Sequence, residues 1–211
     1  MIITIAHQKG GVGKSTIATN VAVEMNCPII DLDSQHSCYL FSILRKNTGK
    51  PLEVFTPEDI DELKRIVNNI KSPNIIIDSG GYDNDLNRFA LLISDIVITP
   101  VSPSQIEVFG LQKFAKIITE ARKHNPELEV FVVINNADPR STSENRALEK
   151  FIESEEAFSL LNTKLFRRAD YRRAYSEGLS VCEFNKKGKA CKEIKALVEE
   201  ILKQKRKEEM K

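Results

Sequence analysis

Ten consecutive residues, His7-Gln8-Lys9-Gly10-Gly11-Val12-Gly13-Lys14-Ser15-Thr16, gather three glycines, two lysines and two hydroxyls into one short stretch. Glycines let successive backbone N–H groups turn inward around phosphate oxygens, and a helix starting here adds the positive end of its dipole. At this spacing Lys14 reaches the β- and γ-phosphates of a nucleotide, and the Ser15 hydroxyl is placed to ligate Mg2+. The candidate phosphate-binding residues are therefore Gly10, Gly11, Val12, Gly13, Lys14, Ser15 and Thr16. The usual pattern, Gly-x-x-x-x-Gly-Lys-[Ser/Thr], fails only at its first place, where Gln8 stands, and a second lysine, Lys9, follows at once. The alternative is a glycine-rich turn that binds nothing. It is the poorer account, because seven residues fitting Lys-Gly-Gly-x-x-Lys-[Ser/Thr] are rare by chance when glycine is roughly 7% of residues.

Three carboxylates lie where they could serve the same chemistry. Asp33 falls just past an apolar run, where it can orient a water or a Mg2+-bound ligand, with Asp31 as its supporting partner. Turn and cap chemistry is the competing account of both. Asp78 ends Ile75-Ile76-Ile77, a costly place for a charge unless an ion or a hydrogen-bond network compensates it. The following Ser79-Gly80-Gly81 reads as a mobile loop whose backbone senses the γ-phosphate. Cys27, Cys38, Cys182 and Cys191 include no Cys-x-x-Cys pair, and His7, His36 and His124 lack metal-like spacing. Free thiols in a reducing cytoplasm are expected, and no metal beyond the ion a nucleotide carries.

The elements that must hold these groups alternate regularly. Strands are expected at 2–6, 28–32, 52–55, 74–78, 95–99 and 128–134, with a weak one at 164–166. Helices are expected at 14–25, 37–46, 85–94, 105–124, 142–153, 170–177 and 189–205. One more opens at Thr56-Pro57-Glu58-Asp59, with Thr56 as N-cap and Pro57 at the first helical position. Strands apolar on both faces and separated by helices predict an α/β fold: a doubly wound, mostly parallel sheet with helices on both faces. Ligands then bind at the carboxyl ends of the strands.

The chain has 211 residues, 41% of them hydrophobic and 29% charged, which excludes disorder and collagen-like repeats. One domain spanning 1–211 is expected. No apolar run approaches the roughly 18 residues of a membrane span, and no basic leader precedes the first strand, so a cytoplasmic protein is expected. The net charge of +1 is unevenly spread: 164–211 carries 15 basic against 8 acidic residues, so the remainder is net negative. Such asymmetry points that segment at a polyanion, although solvated helices often carry lysine and arginine too.

The run at 9–16 is the deviant Walker A motif, and over essentially its whole length the chain resembles the ParA/MinD group of P-loop ATPases. It is especially similar to small plasmid or chromosome partition ATPases without an N-terminal DNA-binding domain. Asp31-Leu32-Asp33-Ser34-Gln35 and Ile75-Ile76-Ile77-Asp78 match specifically. Ile98-Thr99-Pro100-Val101-Ser102-Pro103 and Asn135-Asn136-Ala137-Asp138-Pro139-Arg140 match loosely. The resemblance implies ATP and Mg2+ as cofactors, with Ser15, Asp33 and Asp78 around the metal, and Lys14 and Asp33 needed for hydrolysis. It implies that Lys9 reaches across an ATP-dependent homodimer to the partner's phosphates. Asn135 or Asn136 and the Phe166-Arg167 segment would lie near adenine. Ser79-Gly80-Gly81 departs from the Thr-Pro-Pro of many relatives.

Relatives also bind DNA through basic residues near the C-terminus, which makes Arg172, Arg173, Lys186, Lys187 and Lys189 the candidate contacts. The expected function is a partition ATPase, nucleoid-associated, acting on non-specific double-stranded DNA. A centromere-binding partner of the ParB or ParG type would stimulate it. A MinD-like membrane-cycling ATPase is the alternative, but the tail Lys203-Gln204-Lys205-Arg206-Lys207-Glu208 is polar where an inserting amphipathic helix needs bulky apolar residues. No membrane partner is expected. An iron–sulfur carrier would need interface cysteines that the spacing does not offer.

Overall fold

The computed structural model describes residues 1–48, 50–103, 105–139 and 142–208, without the side chains of 105–108, 142–144 and 205–208. Seven parallel strands form one sheet: β1 (Ile2–Ile5), β2 (Ile29–Asp31), β3 (Val54–Phe55), β4 (Ile75–Asp78), β5 (Ile96–Val101), β6 (Glu129–Ala137) and β7 (Ser159–Phe166). Their spatial order is β3-β2-β4-β1-β5-β6-β7. The helices are α1 (Lys14–Met25), α2 (Ser37–Arg45), α3 (Ile60–Asn69), α4 (Asp85–Ile93), α5 (Gln105–Arg122), α6 (Thr142–Glu153), α7 (Ala169–Ser176), α8 (Val181–Phe184) and α9 (Lys189–Glu208).

The sheet is buried on both faces, which is why its central strands are rich in Ile and Val with few polar breaks. On one face Ile3, Ile5, Ile29, Ile76, Leu161 and Leu165 pack with Ile17 and Val21 of α1 and Ile194, Leu197 and Ile201 of α9. On the other, Val97, Val101, Val130 and Val132 meet Leu111, Phe114 and Ile118 of α5 and Leu148 and Ile152 of α6. Ile30 and Ile77 meet Leu63 of α3 and Ala90 of α4. The doubly wound prediction holds.

The strand order decides where chemistry can occur. β4 lies between β1 and β2, and the register pairs Asp78 with both Ile5 and Asp31. Three strand ends, two of them aspartates, therefore converge on the loop that leaves β1. Pro100 sits inside β5 without cost to the neighbouring ladder, because the last β1–β5 pair is Ile5 with Ile98.

Several local expectations change. The cap of α3 is Asp59, not Thr56: its carboxylate accepts from Glu62 N at 2.7 Å, while Glu62 accepts from Glu58 N. A carboxylate on the first-turn donors outcompetes a threonine that lies outside the helix. β7 is eight residues long and begins at Ser159, well before the weak strand expected at 164–166. It forms one edge of the sheet, where α9 supplies what the sequence of β7 does not show. Glu200 accepts from the backbone N–H groups of Asn162 and Thr163, and Glu193 from that of Phe166, which blunts the edge against further pairing. The short helix α8 was not expected; Ser180 and Glu183 close it with a reciprocal capping box. The expectation of four free thiols is corrected at Cys182 and Cys191. α8 and the first turn of α9 bring their Cα atoms to 4.5 Å, and they form a disulfide. Cys27 and Cys38 are free and buried.

Candidate functional site

The loop between β1 and α1 owes its shape to a few enforced positions. Gly11 and Gly13 have φ of +77° and +95°, values that L side chains rarely adopt. A Cβ on Gly13 would also stand 2.4 Å from Asn135 Nδ2. That nitrogen donates to Val12 O at 2.7 Å, so the end of β6 fastens the loop from below. No side chain caps the first turn of α1 and no carboxylate lies in it, an arrangement that keeps the helix's positive end for an external anion.

Lys14 is almost fully buried, and its ammonium donates to Lys9 O at 3.0 Å. Burial lowers its pKa; Asp78 and Asp33 pull it back up. A lysine held dry among carboxylates is a strong electrostatic partner for phosphate, because little water has to be stripped from it.

The carboxylates divide by role. Asp31 accepts from the backbone N–H of Asp33, Cys38 and Tyr39, so it anchors the start of α2, whose own cap His36 makes no capping bond. Burial still raises its pKa, against those three backbone bonds. Asp33 is half-buried; its Oδ1 accepts from Gln35 N at 3.0 Å, and its charge is felt at Lys14. Asp78 is wholly buried, hydrogen-bonded by the Ser15 hydroxyl and by Cys38 Sγ at 3.2 Å. Its Oδ1 has no partner. Burial pushes its pKa up to about 7, with Asp31 adding to the rise and Ser15, Cys38 and Lys14 opposing it.

A buried carboxylate oxygen without a partner, beside a serine hydroxyl and a lysine, fits the surroundings of a nucleotide-bound Mg2+. Ser15 and Asp78 are the groups that would hold or orient such an ion. The ion would neutralise charge on the phosphoryl oxygens.

The loop after β4 lies against the phosphate loop: a Cβ on Gly81 would meet Gly10 N at 3.1 Å. Asn87 of α4 shapes it by accepting from Gly80 N and donating to Tyr82 O. His7, Ser79, Gly80, Tyr82, Asn87 and Phe114 share a cavity of about 20 Å³ behind this loop, room for a single water. Sequence reasoning missed Asn87, Cys38 and the position of His7. A hint existed only for Asn87, three residues after the cap Asn84.

Of the other expected residues only Asn135 touches the loop. Asn135 is buried with its amide bonded to the phosphate loop, whereas Asn136 is exposed with φ of +53°. Phe166 ends β7 and Arg167 follows it, at the carboxyl end of the sheet; Arg167 N donates to Ala137 O, and Arg168 lies over the Phe166 ring. Arg172 and Arg173 are exposed on α7, and Lys186, Lys187 and Lys189 are exposed around the turn into α9. Neighbouring basic residues turn inward instead: Arg168 pairs with Glu193, Arg45 with Glu183 and Lys164 with Glu149. The outer face of α2 carries Tyr39, Leu40, Ile43 and Leu44, all exposed. No helix among the described residues is long and apolar enough to cross a membrane.

Comparison with known proteins agrees with this geometry. A protein of Halothiobacillus neapolitanus named maintenance of carboxysome distribution protein A is 28% identical over 210 residues, covering 95% of each chain. A plasmid partition protein from Borrelia burgdorferi shares the fold with a TM-score of 0.66 at 22% identity, covering 96% of this chain and 98% of its own. The septum site-determining protein MinD of Pyrococcus horikoshii, solved with Mg-ADP, superposes with a TM-score of 0.70 at 18% identity, over 95% of both chains. The family model of the CobQ/CobB/MinD/ParA nucleotide-binding domain matches residues 3–181. With its deviant Walker A loop on a parallel seven-stranded sheet, the chain belongs to that family as a P-loop ATPase of the ParA/MinD type.

Proposed function

We propose that the protein is a DNA-partition ATPase that binds ATP with Mg2+, dimerises on it and coats DNA without sequence preference. A centromere-binding partner of the ParB or ParG type stimulates its hydrolysis. Lys14 and the glycine loop hold the phosphates; Ser15, Asp33 and Asp78 surround the metal; Asp33 organises the attacking water. Lys9 supplies a cation to the partner's nucleotide, which makes turnover depend on dimerisation. Asn135, Phe166 and Arg167 border the adenine end.

One observation carries the DNA reading. α9 starts with Lys189 and Lys192 and has no acidic residue in its first turn, so cations crowd the helix's positive end. Lys186 and Lys187 stand exposed just ahead of it. Cations at a helix N-terminus oppose the dipole and disfavour the helix by about 0.3–1 kcal/mol. A phosphate backbone bound there relieves both.

A second reading, a MinD-like membrane-cycling ATPase, is favoured by the apolar outer face of α2, which a lipid surface would cover. Co-sedimentation with duplex DNA and, separately, with anionic liposomes decides between them, each run with ATP, ADP and no nucleotide. ATP-dependent pelleting with DNA alone supports the first reading; pelleting with liposomes alone replaces it with the second. The name of the Halothiobacillus relative supports a cargo-distributing cycle in either case.

A further inference from the structure

One buried, chemistry-bearing side chain takes no part in holding phosphate or metal. His7 is 1% exposed, at the point where β1 gives way to the phosphate loop. Its Nδ1 accepts from Lys9 N at 3.0 Å. An accepting Nδ1 carries no proton, so the neutral ring has its proton on Nε2. Burial, then Lys14, then Lys9 lower its pKa to about 4, which keeps the ring a neutral acceptor at physiological pH.

The ring is fixed from behind by α5. Phe114 stacks on it with centroids 6.1 Å apart and planes 28° from parallel. At Gly110 a Cβ would come within 3.1 Å of His7 Cε1, so only a glycine gives the ring its present room. Lys9 is thus held at both of its backbone groups: its N–H by His7, and its C=O by the Lys14 ammonium. On nucleotide binding the same ammonium must share its three donors between Lys9 O and the phosphates, whereas the bond from Lys9 N to His7 faces no such competition.

We propose that His7 is a positioning residue: its Nδ1 keeps the Lys9 backbone oriented so that the Lys9 side chain reaches the partner subunit's nucleotide. The proposal rests on the reading of Lys9 as a cation acting across the dimer. It also links α5, through Gly110 and Phe114, to the placement of that cation.

The test combines a bond-level and a functional readout on the full chain. Nitrogen-15 NMR is expected to find His7 in the Nε2–H tautomer. Hydrogen exchange at the Lys9 amide should quicken about tenfold or more in His7→Ala, the loss of one protecting bond. His7→Asn, whose side-chain oxygen can accept in place of Nδ1, should retain the protection. In His7→Ala, kcat and ATP-dependent dimer formation should fall between about tenfold and a hundredfold, with the KM for ATP within about twofold, as displacement of a positioned group does. His7→Asn should recover most of that loss. Gly110→Ala is a second probe that leaves His7 in place. Alanine favours the helix, yet the variant should deprotect Lys9.

An Nδ1-protonated ring, unchanged Lys9 exchange in His7→Ala, or a His7→Asn variant no better than His7→Ala overturns the proposal. Lys9→Ala separates it from the reading beneath it. If Lys9→Ala turns over as wild type does, the cation across the dimer is lost as an idea, whatever the tautomer and exchange say of the His7–Lys9 bond.

Discussion

The two charged regions of this molecule treat their ions in opposite ways. At the carboxyl ends of β1, β2 and β4, Lys14, Asp31 and Asp78 are buried and their pKa values displaced; Lys14 and Asp31 bond backbone groups, and Asp78 is held by the Ser15 hydroxyl and Cys38 Sγ. In α7 and the turn into α9, Arg172, Arg173, Lys186, Lys187 and Lys189 stand in water. Groups that bind and activate phosphate must be dry and held in place, since fixed charges act strongly only where water does not screen them. Groups that meet a nucleic-acid backbone gain from staying hydrated until contact, because counterion release drives that binding and register matters little. Even within the basic segment the two styles meet: Arg168 is committed to Glu193, while Arg172 points outward.

The contrast breaks first at the buried end. Lys14→Ala removes the ammonium proposed to hold the β- and γ-phosphates, and ATP affinity is expected to fall about a thousandfold, roughly 4 kcal/mol. Isothermal titration reads this directly; near wild-type affinity would return the loop to a glycine turn. Asp33→Ala should bind ATP and dimerise normally yet lose about a hundredfold in turnover, the usual weight of a positioned acid–base group. Light scattering with ATP beside a phosphate-release assay checks both halves, and unimpaired turnover removes Asp33 from the role.

A third expectation concerns pH. His7 has its pKa depressed from 6.5 to about 4, so its contribution to stability is complete above pH 6.5 and is lost as pH falls toward 4. At pH 5 that loss amounts to about 2 kcal/mol. Asp78, raised to about 7, works the other way and loses stability as pH rises through 7. The His7 contribution is therefore measured as the difference between wild type and His7→Asn in denaturant unfolding at pH 7.5 and pH 5. A difference that does not change with pH would contradict the buried neutral ring.

The smallest expected effect lies at the exposed end. Arg172→Glu with Arg173→Glu, or Lys186→Glu with Lys187→Glu, should weaken ATP-dependent DNA binding about tenfold while basal ATPase is unchanged. The salt dependence should become shallower by about one for each DNA phosphate no longer neutralised. Fluorescence anisotropy at low and high salt tests it. If both pairs bind as wild type, the basic segment is a solvated surface and the contrast reduces to one functional region.

Local chemistry made the phosphate loop, its strand-before and helix-after context and the apolar central strands readable in the chain, because each depends on neighbours a few residues away. Asp78 could be singled out because a carboxylate ending Ile75-Ile76-Ile77 conflicts with its own surroundings. Asp31 stayed ambiguous: its three backbone donors come from a turn and from α2, and only folding brings them to one carboxylate. β7 looked weak because Ser159, Asn162 and Thr163 are polar, and the carboxylate that satisfies their edge belongs to Glu200 in α9. The Cys182–Cys191 pairing follows from the turn between α8 and α9, which brings their Cα atoms to 4.5 Å and which their spacing in the chain does not encode. His7 stood at the edge of the phosphate-loop run with no role of its own assigned by the pattern. Its importance arises from Gly110 and Phe114, a hundred residues away on α5, closing on a ring whose one local bond holds Lys9. The sequence by itself determined which groups could hold a phosphate, since that depends on residues a few places apart. Which of those groups are dry, and which neighbour fixes each, was decided by the order β2-β4-β1-β5 and the helices laid across it, because desolvation is a property of the packed interior.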